Sequence, residues 1–456
     1  MAVTCPTSVI IIGVTVKVSI LIAIVYFTLP AKVHPPDYGD GWWGKGDAKK
    51  PDDPTIHEHK ISIHKDELAE LWQRLTKTRF FDTLEGIEWQ YGTNQEYMRS
   101  LVKYWVEEYD WQKQESLLNS EPNYYTEIEG LRVHFQHIKP DIQKGQEIIP
   151  IVLIHGWPGS YFEFYKAIKI LKDASKKGPF AYEIICPSIP GYGFSEASHK
   201  PGFNLYAAAR VFHKLMERLG HKSYYIQGGD WGSMIGRCMA QIAPSCVRGL
   251  HINMIGMIAP RGIWSYILGY FTLPAKEHQK IFPLMDFYIY ILRESGYMHL
   301  QATRPDTVGA GLNDSPAGLA SYIIEKFSVW SGCHTNQSAQ CLESRFTKDE
   351  LLTNVMIYWL TNSITSSMRF YKENCLTAHD VNAIQEVVPV GLADFPDEII
   401  HLPQPWLSAT FIDIIQHTEM PHGGHFAALQ EPELLAQDVM EFVRKVETRK
   451  SSKEEL

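Results

Sequence analysis

Short, mainly apolar runs punctuate this chain at Ile148 to Ile154, Tyr182 to Cys186, Ser223 to Gln227, Val247 to Ile255, Val387 to Leu392 and Phe411 to His417, the first of them continuous. Runs of that length bounded by turn residues predict strands covered on both faces. Segments with apolar positions three and four apart lie between them, Ala207 to Leu219 for example. Strands alternating with helices predict βαβ units and a mostly parallel sheet, with its working site at the carboxyl ends of the strands. Upstream, Leu68, Leu71 and Leu75 predict a helix from Asp66 to Thr78, residues 95–118 carry helical spacing, and residues 124–135 alternate around Gly130 as a hairpin does. Residues 256–375 lose the alternation and are helix-like and aromatic, which predicts an inserted lid. A last amphipathic helix is expected from Pro432 to Glu447.

The N-terminus follows a third pattern. Val9 to Leu29 is almost wholly apolar and about as long as a bilayer is thick, with one charge, Lys17, near its middle. No small-x-small cleavage site follows it, and its polar residues form no single face, so an uncleaved membrane anchor is expected rather than a signal peptide or a surface helix. Lys32, Lys45, Lys49 and Lys50 follow the run, so charge counting puts the bulk of the chain in the cytosol. Tyr38, Trp42 and Trp43 are candidates for the lipid interface. Residues 30–55, rich in Gly, Pro, Asp and Lys, read as a linker. The chain ends Lys453-Glu454-Glu455-Leu456, one residue from a luminal retention signal, and is taken as a charged helix end.

Composition narrows the classes. The 456 residues are 45% apolar and 21% charged, as in a globular protein of one large or two ordinary domains. With 43 basic and 52 acidic residues the net charge is −9, so nucleic acid is not an expected partner. Seven Cys without a CxxC pair argue against a disulfide scaffold or a Cys-type zinc site. Free thiols are expected; Cys333 and Cys341 could bridge, though nothing in the sequence demands it.

The chemistry concentrates in three places. Gly228-Gly229-Asp230-Trp231-Gly232 follows a strand and precedes a helix, with Gly two before and two after the centre, as a nucleophile elbow requires. The usual Ser is replaced by Asp230. Asp230 as a mere helix cap would need no flanking glycines. A base and an acid should follow. His425, in Gly423-Gly424-His425-Phe426 after the last strand, is the candidate base, with His422 as its rival. Asp394, Asp397 and Glu398 all follow the preceding strand, and spacing does not choose among them. An oxyanion hole needs two backbone N–H donors, expected from Trp231 and from Trp157 in the loop His155-Gly156-Trp157-Pro158.

An Asp nucleophile restricts the reaction. A Ser attacking alkyl carbon would leave an ether that water cannot cleave. A carboxylate leaves an ester, which water activated by His can open. The elbow thus points to displacement at sp³ carbon, in an epoxide or an alkyl halide. A haloalkane dehalogenase, and a non-catalytic scaffold of the same fold, are the competing classes.

These residues carry a resemblance to the microsomal epoxide hydrolase family, which includes the insect juvenile hormone epoxide hydrolases. It spans essentially the whole chain through Asp40-Gly41-Trp42-Trp43-Gly44, His155 to Ser160, Gly228 to Ser233, Gly296-Tyr297-Met298-His299, Met368 to Asn374 and Gly423 to Ala428. The resemblance implies an α/β-hydrolase fold with a mostly parallel sheet. It implies segments 1–30 (anchor), 31–140 (meander and helices packing on the core), 141–255 and 376–456 (core), and 256–375 (helical lid). It implies Asp230 as nucleophile, His425 as base, Glu398 as relay acid, and Tyr297 and Tyr371 as lid acids. It further implies no cofactor or metal, lipophilic epoxide and water as substrates, and the endoplasmic reticulum membrane as location.

Overall fold

The computed structural model describes residues 39–454, except 48, 256–258, 260–261, 334–337, 377–380 and 382–383. The anchor expected at 1–30 lies outside these residues. The described chain opens with β1 (His57–His59), α1 (Lys65–Thr76), α2 (Gln95–Glu107) and α3 (Trp111–Leu118), then the hairpin β2 (Asn123–Ile128) and β3 (Leu131–Ile138). The helical stretch at 95–118 is two helices, because Asp110 accepts the Lys113 N–H at 3.2 Å and starts the second as an N-cap. Ile128 pairs with Leu131, so Glu129 and Gly130 form a two-residue turn, both at positive φ (55° and 77°), as tight right-twisted hairpins need.

The alternating part follows as β4 (Glu147–Ile154), a single 3₁₀ turn at Tyr161–Phe164, α4 (Tyr165–Ser175), β5 (Phe180–Pro187), α5 (Leu205–Arg218), β6 (Tyr224–Gly228), α6 (Asp230–Ile242) and β7 (Val247–Ile252). Among the described residues, nine α-helices and a π-helical turn at Val329–Cys333 precede the next strand: α7 (Ile263–Thr272), α8 (Ala275–His278), α9 (Leu284–Glu294), α10 (Gly296–Thr303), α11 (Pro305–Leu312), α12 (Pro316–Ser328), α13 (Ala339–Arg345), α14 (Lys348–Leu360) and α15 (Ile364–Cys375). The chain closes with β8 (Glu386–Asp394), α16 (Gln404–Thr410), β9 (Phe411–Glu419), α17 (Ala427–Gln430) and α18 (Pro432–Glu454).

All nine strands form one sheet in the order β1-β2-β3-β5-β4-β6-β7-β8-β9. The pairs from β5 to β9 are parallel and the three at the β1 edge are antiparallel. This is the α/β-hydrolase architecture. β6, at the centre, is buried at every residue, which explains its unbroken apolar signal. The segment before residue 140 does more than pack on the core, since it supplies three strands of the sheet. Trp43, a candidate for the lipid interface, instead packs on this domain: its Nε1–H donates to Glu129 at 2.8 Å and its ring meets Phe203 edge-on. Cys333 and Cys341 are joined in a disulfide, which corrects the free-thiol expectation for that pair. The turn through Gly332, at φ 88°, brings their Cα atoms to 5.8 Å.

The helical insertion has two unlike faces. Its inner helices are core: α14 buries nine consecutive residues from Glu350 to Tyr358. At its outer edge α9 buries none, and Phe271, Met285 and Leu292 are exposed by 80%, 65% and 65%. Such a continuous apolar surface is unusual on a monomeric soluble domain.

A buried ion pair links the two halves of the core. Arg237 on α6 donates from Nε to Glu386 on β8 at 2.9 Å, with both side chains wholly enclosed, and Gln241 donates to the same oxygen at 2.7 Å. Burial pushes the Glu386 carboxyl up to about 7 against the pull of Arg237. Replacing Arg237 with Met should cost about 3–5 kcal/mol by leaving that acid unpaired. Glu386 then takes up its proton still more readily in the folded than in the unfolded chain, so the loss should be larger at pH 8 than at pH 5. Urea unfolding at both pH values measures it, and equal losses would refute the pairing.

Candidate active site

Four loops meet at the carboxyl ends of β4, β6, β8 and β9, where an open parallel sheet places its site. The loop after β6 carries Asp230 at φ 47°, a left-handed conformation that non-glycine residues rarely adopt. The turn closes because its neighbours lack side chains: a Cβ on Gly232 would stand 1.9 Å from the Ile154 carbonyl oxygen, and one on Gly228 would stand 2.4 Å from the Gly232 backbone. Asp230 then begins α6, where backbone N–H groups lack intrahelical acceptors.

The loop after β4 lies across the aspartate. Trp157 N–H donates to Asp230 Oδ1 at 2.7 Å. A Cβ on Gly156 would stand 2.2 Å from that same oxygen, so glycine is needed for the approach. His155 is neutral, its pKa lowered to about 4 by burial, and it fixes the loop: the ring accepts the Ile189 N–H at Nε2 (3.1 Å) and donates from Nδ1 to Gly156 O (3.1 Å). From the lid, Asn354 donates to Pro158 O and Tyr358 to Gly159 O, each at 2.7 Å. Trp231, the other expected donor residue, follows Asp230 in the first turn of α6, and its ring lies 4.8 Å from that of Tyr371.

His425, in the loop after β9, stands between two carboxylates. Its Nδ1–H donates to Glu398 at 2.6 Å and its Nε2 is 3.4 Å from Asp230 Oδ2. Burial opposes the imidazolium, but the two carboxylates outweigh it and carry the pKa up to about 10. The rivals lie elsewhere. His422 is exposed and paired with Glu431 at 3.0 Å. Asp394 holds His401 at 2.8 Å, and Asp397 folds against Gly332. The structure thus brings together Asp230, His425 and Glu398 from the residues that spacing left open.

The lid brings Tyr297 on α10 and Tyr371 on α15 over this group. Tyr297 stacks on Trp157 with ring centres 5.2 Å apart, and Tyr371 meets Tyr297 edge-on at 5.8 Å. Burial pushes both phenols well above the usual range, helped by the Asp230 charge, so both keep their protons. Two other lid tyrosines are engaged elsewhere: the Tyr322 hydroxyl accepts from Gln301 at 3.4 Å, and the Tyr358 hydroxyl donates to Gly159 O.

Two residues of this region carry no sequence signal of the kinds used above. Trp330 packs its ring 4.9 Å from that of His425 and accepts the His425 N–H on its backbone oxygen at 2.9 Å. Glu163, in the 3₁₀ turn, is the second. Its carboxyl is raised to about 8 by burial, with His425 lowering it and Asp230 raising it. An acid inside the aromatic stretch Tyr161 to Tyr165 was the available clue.

Comparison with known proteins bears on the family and the fold. The profile described as epoxide hydrolase N terminus matches residues 56–164, and that of the alpha/beta hydrolase fold matches 149–362. The chain is 45% identical to epoxide hydrolase 1 of Sus scrofa over 423 residues, 89% of this chain and 92% of the other. It is 41% identical to juvenile hormone epoxide hydrolase 1 of Ctenocephalides felis, covering 95% of each. The crystal structure of juvenile hormone epoxide hydrolase from Bombyx mori superposes with a TM-score of 0.86 at 40% identity, over 90% of this chain and 99% of that one.

Replacing Asp230 with Asn removes one of the two anions that hold the imidazolium. The His425 pKa should fall from about 10, and titration of its ring resonances by NMR reads the shift. An unmoved value would show that Asp230 does not set the charge of the base.

Proposed function

The chain belongs to the epoxide hydrolase family, and on that premise we propose that it converts lipophilic epoxides to vicinal diols through a covalent ester on Asp230. The observation that carries this reading is the Asp230 carboxylate itself. One oxygen is held by the Trp157 N–H and the other faces His425, so one is fixed as the future carbonyl and the other is free to attack. Oδ2 displaces the epoxide oxygen from carbon, and the ring-opened oxygen takes a proton from the Tyr297 and Tyr371 hydroxyls. Paired protonated phenols favour an epoxide over an alkyl halide, since a departing halide needs no proton.

Ester formation prepares the second step. While Asp230 is an anion, His425 favours its charged form and is a poor base. Alkylation neutralises Asp230 and removes one of the two attractions that raise the imidazole. His425 passes its proton to the tyrosinate that ring opening leaves and, oriented by Glu398, then takes a proton from water. The water oxygen bonds to the Asp230 carboxyl carbon, and the negative charge develops on the oxygen already facing Trp157, with Trp231 as second donor. Collapse breaks the bond to the alkyl oxygen, which takes the proton back from His425 and leaves as the diol, and the proton left on the Asp230 carboxyl passes to His425, restoring the anion and the imidazolium. No cofactor or metal enters these steps.

Two features support a membrane as the place of action: the apolar run Val9 to Leu29 and the exposed apolar faces of α7 and α9. Lipophilic epoxides concentrate in bilayers. The basic residues after the run favour the cytosolic face of the endoplasmic reticulum. The Cys333–Cys341 bridge stands against that face, since such bonds persist in oxidising compartments. Protease protection in sealed microsomes decides between the two.

A single turnover of an aryl epoxide with excess enzyme in ¹⁸O-water should give unlabelled diol, because the added oxygen comes from Asp230. Labelled diol would mean direct attack by water. Changing both Tyr297 and Tyr371 to Phe should slow ester formation by about 10²–10⁴-fold. Ester hydrolysis should change far less in rapid-quench experiments, and the reverse pattern would remove the acid role.

A further inference from the structure

The loop after β4 holds two glycines against two carboxyl groups. Gly156 makes room for Asp230. Three residues on, a Cβ at Gly159 would stand 2.1 Å from Glu163 Oε2, so Gly159 makes room for a second acid by the same means. The loop between them is pinned from the lid by Asn354 and Tyr358, and Tyr358 holds the Gly159 carbonyl itself. Glu163 is half-buried: its carboxyl is hemmed in by protein, yet part of the residue's surface stays open to water. Among the described residues no side chain or backbone group takes a hydrogen bond from it or gives one to it. The titratable groups facing it are Asp230 on α6, His425 after β9, Tyr358 on α14 and Cys186 on β5.

A carboxyl hemmed in by protein, without a hydrogen-bond partner among the described residues and within electrostatic reach of the nucleophile and the base, is costly unless water satisfies it. We propose that Glu163 is a further catalytic residue, whose carboxyl oxygen accepts a hydrogen bond from the water that hydrolyses the Asp230 ester. This rests on the covalent reading above. One O–H of that water donates to Glu163 while the other gives its proton to His425, and Glu163 neither gains nor loses a proton over the cycle. Burial, at about 8, keeps the group neutral at pH 7. Neutrality matters because an ionised Glu163 would stabilise the His425 imidazolium and blunt the base. Hydrolysis should therefore fall as pH rises through about 8, the direction in which the raised carboxyl ionises.

Three variants test the assignment. Glu163→Ala removes the acceptor. Gly159→Ala displaces it without touching it: the atom in the way is the tip of a flexible side chain, the nearest backbone atom is 3.6 Å off, and Gly159 has no left-handed φ. Glu163→Gln keeps a neutral acceptor. In rapid-quench experiments, with the adduct on Asp230 followed by intact-protein mass spectrometry, both alanine variants should hydrolyse the ester about tenfold more slowly, the scale of one hydrogen bond. Their rate of adduct formation should stay within about twofold of the parent, so the adduct accumulates. Glu163→Gln should restore most of that loss and lack the decline near pH 8. Equal slowing of both steps, or a decline near pH 8 that persists in Glu163→Gln, would overturn the proposal. Absence of any adduct in the unmodified enzyme would instead overturn the covalent reading.

Discussion

Very little room surrounds the Asp230 backbone, and the rest of the site follows from that crowding. The residue is held left-handed where β6 turns into α6, with Gly232 pressed on the Ile154 carbonyl and Gly156 pressed on the Asp230 carboxylate. A turn this tight projects the side chain clear of the sheet and leaves the first N–H groups of α6 free. It also draws the β4 loop close enough for Trp157 to bond one carboxylate oxygen at 2.7 Å. A Cβ at either glycine would push that donor and its acceptor apart. The oxyanion site and the nucleophile are one packing arrangement seen from its two sides.

Charge is organised around the same carboxylate. His425 lies between Asp230 and Glu398, and its affinity for a proton is set by how many of the two are ionised. On the proposed covalent reading, an acid neutralised by esterification would give the protein a base that strengthens after the first step. In a Ser elbow the nucleophile is neutral before attack, and this coupling would be absent. The buried Arg237–Glu386 pair bears on the same geometry from below, tying the helix that starts at Asp230 to the strand that leads to Glu398.

The sheet was legible because its central strands are enclosed on both faces, so β4, β6 and β7 appear as bare apolar runs. The elbow was legible because crowding forces glycine at fixed offsets. Glu398 was not, because three acids share one loop and only their contacts distinguish them: Asp394 to His401, Asp397 against Gly332, Glu398 to His425. Spacing could not rank Tyr297 and Tyr371 above other lid tyrosines, since a helix-borne phenol looks the same whether it packs or points at a substrate. The resemblance to known epoxide hydrolases singled them out. The Cys333–Cys341 bridge was legible only as a possibility, because a separation of 8 residues allows the bond without requiring it.

The lid places aromatic rings inward and aliphatic surface outward, and the two demands compete for the same sequence. Inside, Tyr297, Tyr371, Trp157, Trp231 and Trp330 wall the carboxylate in rings within about contact distance of one another, which raises the phenols and excludes bulk water. Outside, α9 buries nothing yet is built from Leu, Met, Phe, Tyr and Ile. Glu398 and Trp330 line a cavity of about 410 Å³ that also touches Phe287 and Tyr290 on the half-buried side of α9. On the proposed reading that the substrates are lipophilic epoxides, an apolar helix edge beside a cavity that reaches Glu398 would let such a molecule approach without losing its apolar contacts.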